Sequence, residues 1–77
     1  MYTFEITDKN GKCTEYKHII KVSYTAPIPG EKETLIEGED LFTYKYKNYY
    51  DLYLYSENES FTIFKNVISA IKVTKEN

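Results

Sequence analysis

Apolar and polar positions alternate from the start of the chain. Tyr2, Phe4 and Ile6 fall on one side and Thr3, Glu5 and Thr7 on the other, which is the period of a half-buried β-strand. Asp8-Lys9-Asn10-Gly11-Lys12 follows, and Asn-Gly marks a hairpin. A two-residue loop would set Phe4 against Lys17 and Ile6 against Glu15. A three-residue loop sets Phe4 against Tyr16, Ile6 against Thr14 and Tyr2 against His18. Directly paired residues share a face, so the second register keeps the apolar positions together. It also predicts a type I turn beginning at Asp8, with Gly11 in the left-handed region.

The returning strand is expected to run to about Thr25, with Tyr16, Ile20, Val22 and Tyr24 inward, until Ala26-Pro27-Ile28-Pro29-Gly30 breaks it. Thr34-Leu35-Ile36 is a short strand candidate. Residues 41–51 read either as a strand with Phe42, Tyr44 and Tyr46 on one face or as a helical turn capped by Asp40. Tyr49 to Tyr55 is a predicted strand, Ser56-Glu57-Asn58-Glu59 its turn, and Ser60 to Lys65 the return. That hairpin pairs Leu52 with Ile63 and Leu54 with Phe61. After Asn66 a last strand, Ser69 to Thr74, points Ile71 and Val73 inward. Tyr16-Lys17-His18-Ile19-Ile20 is echoed by Phe64-Lys65-Asn66-Val67-Ile68, either from a shared structural need after a hairpin or from duplication.

Composition supports the same class. Ile, Val, Thr, Tyr and Phe make up 32 of the 77 residues, the set that suits a pleated surface, while Ala (2) and Leu (4) are scarce. Five or six short strands predict a single all-β domain over 1–77, a small antiparallel barrel or strongly bent sheet. At this length only roughly 60–65% of the unfolded surface is buried on folding, so closure or self-association would add stability. Abundant Tyr, Lys, Asn and Ile with no Arg suggest AT-rich codons and a bacterial or phage source.

The net charge is −2, from 10 Lys against 12 acids, which excludes a strongly basic nucleic-acid tail. One Cys excludes an internal disulfide. With no signal-peptide pattern and no long apolar run, the expected compartment is the cytoplasm, without membrane association. Cys13 and His18 lie five apart on one strand, on opposite faces and ~17 Å from each other, so they are not expected to form a nucleophile–base pair. Neither phosphate-loop nor EF-hand spacing occurs. No catalytic residue, cofactor or metal is expected. A hydrolase using the carboxylates of 31–40 is the third-ranked class, because a Glu-rich loop is usually just solvated.

The positive signal is tyrosine. Phe4, Ile6, Tyr16, Ile20, Val22, Leu35, Leu52, Leu54, Phe61, Ile63, Ile68, Ile71 and Val73 suffice for a core, leaving Tyr44, Tyr46, Tyr49, Tyr50, Tyr53 and Tyr55 in surplus. A Tyr-rich face offers wide contact at low entropic cost. The expected function is therefore a non-enzymatic interaction module, binding a protein partner or forming a homo-oligomer through those six residues. An accessory or inhibitory protein of a phage or mobile element would suit the size. The alternative is a single-stranded RNA or DNA binder, stacking bases on tyrosines with Lys45, Lys47 and Lys65 on phosphates. Strand alternation argues against it by placing Lys45 and Lys47 opposite Tyr44 and Tyr46. Residues 44–50 carry +2, beside −4 over 31–40.

Phe64-Lys65-Asn66-Val67-Ile68-Ser69-Ala70-Ile71, preceded by Leu52-Tyr53-Leu54-Tyr55, resembles the second motif of bacterial Sm-like RNA-binding proteins, Tyr-Lys-His-x-Ile-Ser. Lys65 matches, while Asn66 stands in place of His and Phe64 in place of Tyr. Tyr16-Lys17-His18 matches the letters but lies too early, and the family's first motif, on a Gly-bearing bent strand, is missing. The resemblance covers residues 52–71 and implies an Sm- or SH3-like barrel, with Lys65 as an RNA contact.

Overall fold

A computed structural model describes residues 1–26 and 28–76. Pro27, one of the two prolines expected to break the second strand, and Asn77 of the polar tail lie outside them. The chain is all-β; the described residues form two antiparallel sheets and one short α-helix. Strands β1 (Tyr2–Asp8), β2 (Cys13–Ile19) and β7 (Ile68–Lys75) form one sheet in the order β2-β1-β7. Strands β3 (Lys21–Tyr24), β4 (Thr34–Glu37), β5 (Leu52–Tyr55) and β6 (Ser60–Ile63) form the other, in the order β4-β3-β5-β6. Helix α1 (Asp40–Thr43) follows β4, and a 3-10 turn (Lys65–Val67) leads into β7. Strand pairing among the described residues does not close the sheets into a barrel.

Both hairpins adopt the registers that apolar parity requires. Phe4 faces Tyr16 and Ile6 faces Thr14, while Leu52 faces Ile63 and Leu54 faces Phe61. In the first turn Asp8 Oδ1 accepts hydrogen bonds from the Asn10 and Lys12 amides, at 2.8 and 2.9 Å. The Gly11 amide donates to the Asp8 carbonyl, and Gly11 has φ +84°. A Cβ at Gly11 would meet nothing within 4 Å, so the cost of any side chain there is backbone strain alone. Gly11→Val is expected to destabilise by about 1–2 kcal/mol, read as a lower midpoint in urea unfolding. An unchanged midpoint would remove the three-residue turn.

The register breaks near the end of β2. Tyr2 faces Ile19, not His18, because one extra residue is accommodated between the pairs Phe4–Tyr16 and Tyr2–Ile19. His18 takes it up with φ +63°, unusual for a non-glycine residue. Glu76, just past β7, holds it there. Its Oε2 accepts the His18 amide at 2.7 Å and the Thr3 hydroxyl at 2.9 Å, and its Oε1 lies 2.8 Å from His18 Nδ1. This bulge shifts the parity by one, so Ile19 is fully buried and Ile20, the expected core residue, is 40% exposed. Ile20 also separates β2 from β3, and its amide reaches across to the Tyr55 carbonyl at 2.8 Å.

The same three hydrogen bonds, led by the His18 amide, hold the Glu76 carboxyl below its usual range. A carboxylate whose folded pKa lies below its unfolded value of about 4.3 stabilises the fold above that value. The contribution is lost as pH falls through the lowered folded pKa. The stability difference between the parent and Glu76→Gln is therefore expected to be full at neutral pH and to shrink on acidification below pH ~4. Urea melts at several pH values would show it, and a difference independent of pH would refute it.

Other boundaries also move. Leu35 is 53% exposed and Ile36 buried, because Ile36 and Leu54 flank Val22 on the inner face. The predicted strand 49–55 begins only at Leu52, and β6 stops at Ile63, since Lys65 to Val67 turn. Of the two readings of 41–51 the helical one holds, without the Asp40 cap: Asp40 lies in the first turn and no side chain caps the helix. The core is Phe4, Ile6, Ile19, Val22, Ile36, Leu41, Leu52, Leu54, Ile63 and Ile68. Tyr16, Phe61, Ile71 and Val73 pack partly buried against it, with the Tyr16 and Phe61 rings 5.0 Å apart. The internal echo is not structural: Ile19 is buried where Val67 is exposed, and Ile20 is exposed where Ile68 is buried.

Candidate functional site

Helix α1 is a single turn, anchored by Leu41 in the core. It ends at Tyr44, whose backbone is extended, and the chain runs without regular structure to a turn at Asn48 and Tyr49. Strict alternation therefore does not apply to residues 44–50, and lysines and tyrosines come to one side. Tyr24, Tyr44, Tyr46, Tyr49 and Tyr50 line a cleft of about 620 Å³, together with Lys45, Lys47, Thr43 and Leu52. The expectation that Lys45 and Lys47 face away from Tyr44 and Tyr46 rested on a strand that does not form.

The tyrosines differ in what holds them. The Tyr46 ring meets Phe4 edge-on at 5.4 Å, and its hydroxyl donates to the Leu41 carbonyl at 2.8 Å. Burial, and to a lesser extent Tyr44, pushes the Tyr46 hydroxyl pKa well up. The Tyr44 hydroxyl hydrogen-bonds that of Tyr24. That bond, then burial, pushes the Tyr44 pKa up to about 12. Both hydroxyls stay protonated at neutral pH and act as hydrogen-bonding groups. Tyr50 stacks on Tyr24 with ring centroids 4.9 Å apart and planes within 6°. Tyr49 meets Tyr50 edge-on at 6.3 Å and is 62% exposed, with Lys47 Nζ 5.7 Å from its ring centroid.

The lining of this cleft includes two lysines and no carboxylate, although the chain as a whole is acidic. Stacking faces, phenolic hydroxyls and two ammonium groups can hold an apolar or aromatic group with an anionic neighbour. Four of the six expected tyrosines, with Lys45 and Lys47, thus converge. Tyr53 and Tyr55 do not join them: they alternate with the buried Leu52 and Leu54 along β5, and Lys21 Nζ lies 4.6 Å from the Tyr55 ring centroid. Lys65 is also elsewhere. It opens the 3-10 turn, where its amide donates to Asp51 Oδ1 at 2.8 Å. Tyr24 was missed as a cleft residue because its strand parity assigned it to the core.

The other reactive groups are scattered. Cys13 is exposed opposite Thr7 on the hairpin, whereas His18 is occupied with Glu76. Among the described residues no three His, Cys, Asp or Glu side chains are grouped to hold a metal ion, and no helix is long and apolar enough to cross a membrane. Compared with protein families, curated proteins and solved structures, the chain has no match.

Proposed function

We propose that the chain is a non-enzymatic interaction module that binds protein through its tyrosine cleft. The observation that carries this reading is the convergence of five tyrosines on a cleft of about 620 Å³: Tyr24, Tyr44 and Tyr46 pack partly buried against the core, and Tyr49 is 62% exposed. Tyrosine rings fixed in this way offer wide contact with few torsions to freeze, and a cleft this size accommodates a few side chains of a partner. The reading includes a cytoplasmic setting, which the lone Cys suits, and a role as a phage or mobile-element accessory protein, which the size and AT-rich composition suit. It also includes a small Sm/SH3-like barrel. In its favour, β2 and β3 form one ribbon that bends at Ile20 and serves both sheets, bridged there to β5.

The second reading, single-stranded RNA or DNA binding, gains from Lys45 and Lys47 sharing the cleft with the rings. Mass-resolved size exclusion with the 260/280 nm ratio is the first test. A mass above the monomer, from self-association or a co-purified protein, with a protein-like ratio is expected. Tyr49→Ala, exposed and outside the core, should weaken that association by roughly thirty-fold or more, corresponding to ~2 kcal/mol. Against a protein partner of different sequence, Lys45→Glu with Lys47→Glu should chiefly slow association. Tight binding to a ten-residue oligothymidylate, falling steeply with salt as counterions are released, would overturn the protein reading in favour of nucleic acid.

A further inference from the structure

We infer that the occupant of the tyrosine cleft is the acidic segment 31–37 of a second copy of this chain, in a reciprocal two-fold dimer. This rests on the reading of the cleft as a protein-binding surface and names the partner. The first observation is charge. Residues 31–40 carry Glu31, Glu33, Glu37, Glu39 and Asp40 against Lys32 alone, while the cleft brings Lys45 and Lys47 and no acid. None of these groups is in an ion pair among the described residues, where the only two pairs are His18–Glu76 and Lys72–Glu5. Two complementary charge sets a few residues apart in sequence thus leave each other unmatched within one copy.

The second observation is continuity. Thr43 and Tyr44 line both the cleft and a hollow running along Thr34, Leu35 and Ile36 of β4. The β4 part of the segment, Thr34 to Ile36, therefore adjoins the cleft across a hollow that Asp40 also lines, which places both halves of a self-complementary contact side by side. A two-fold axis near Tyr44 would lay each copy's segment over the other's cleft. The third observation is the segment itself. It contains β4, which among the described residues is an edge strand paired only with β3 and whose Leu35 is 53% exposed. Seated in the other copy, Leu35 would meet the ring faces while Glu31 and Glu33 meet Lys45 and Lys47.

The test is sedimentation velocity on the full chain with two charge reversals, Lys45→Glu/Lys47→Glu and Glu31→Lys/Glu33→Lys. The parent is expected to be dimeric at tens of micromolar in low salt and to dissociate as salt rises, because charge pairs at an interface rim are screened. Each variant alone should be monomeric, since its cleft and segment carry the same sign. Mixed in equal amounts they should recover a dimer, because each supplies the complement of the other. All four substitutions lie at exposed positions, and a circular dichroism spectrum matching the parent checks that each variant folds. A parent that stays monomeric in low salt, variants that remain dimeric, or a mixture that stays monomeric would each overturn the inference. A monomeric parent whose co-purified protein partner is lost in Tyr49→Ala would sink the second-copy assignment alone. If no protein association depends on Tyr49, the cleft reading fails as well.

Discussion

Tyr46→Ala is expected to cost about 3 kcal/mol of stability, at the low end of the range for removing a large buried ring because Tyr46 is half-buried. The ring fills space against Phe4, and its hydroxyl satisfies the carbonyl of Leu41, the buried residue of α1. Tyr46→Phe keeps the ring and loses only the hydrogen bond, for about 1 kcal/mol. Urea denaturation of the pair separates the two contributions, and equal losses would place the whole effect in the hydrogen bond. A protein of this size has little stability in reserve. Lost binding in Tyr46→Ala would therefore report a collapsed cleft, whereas Tyr49→Ala tests contact with a partner.

Ile19→Ala is expected to cost 2 kcal/mol or more, whereas Ile20→Ala should cost under ~1 kcal/mol. The residues are identical and adjacent, but Ile19 is fully buried and Ile20 is 40% exposed. The contrast tests the bulge at His18. A continuous strand from Tyr16 to Tyr24 would reverse the order of the two losses. Because Glu76 holds the bulge through the His18 amide, Glu76→Ala should narrow the gap between them if the parity shift depends on that carboxylate. Thermal or urea melts of the single and double variants would measure it.

The all-β class and both hairpin registers were legible in the sequence because they rest on local rules. Side-chain period is two along a strand, paired residues share a face, and a three-residue loop needs a residue such as Gly11 that tolerates positive φ. These constraints act within about a dozen residues, so Phe4 opposite Tyr16 and Leu54 opposite Phe61 follow from parity alone. The excess of tyrosine was legible too; it pointed to Tyr44, Tyr46, Tyr49, Tyr50, Tyr53 and Tyr55, of which the first four line the cleft, and Tyr44 and Tyr46 pack against the core as well.

What only the tertiary structure decided depends on partners far away in the chain. The parity shift at His18 is held by Glu76, 58 residues on, and no local pattern around Tyr16 to Val22 encodes it. Ile36, not Leu35, turns inward because Val22 and Leu54 complete its face across the sheet. Leu41 commits residues 40–43 to a helical turn by entering the core. That turn removes the alternation expected of 44–50 and gathers Lys45 and Lys47 beside Tyr44, Tyr46, Tyr49 and Tyr50, with Tyr24 arriving from β3. Composition and spacing chose the residue types for the cleft. Which of them meet there was decided by packing, because burying Leu41 and Tyr46 sets the path of a segment that has no ladder of its own.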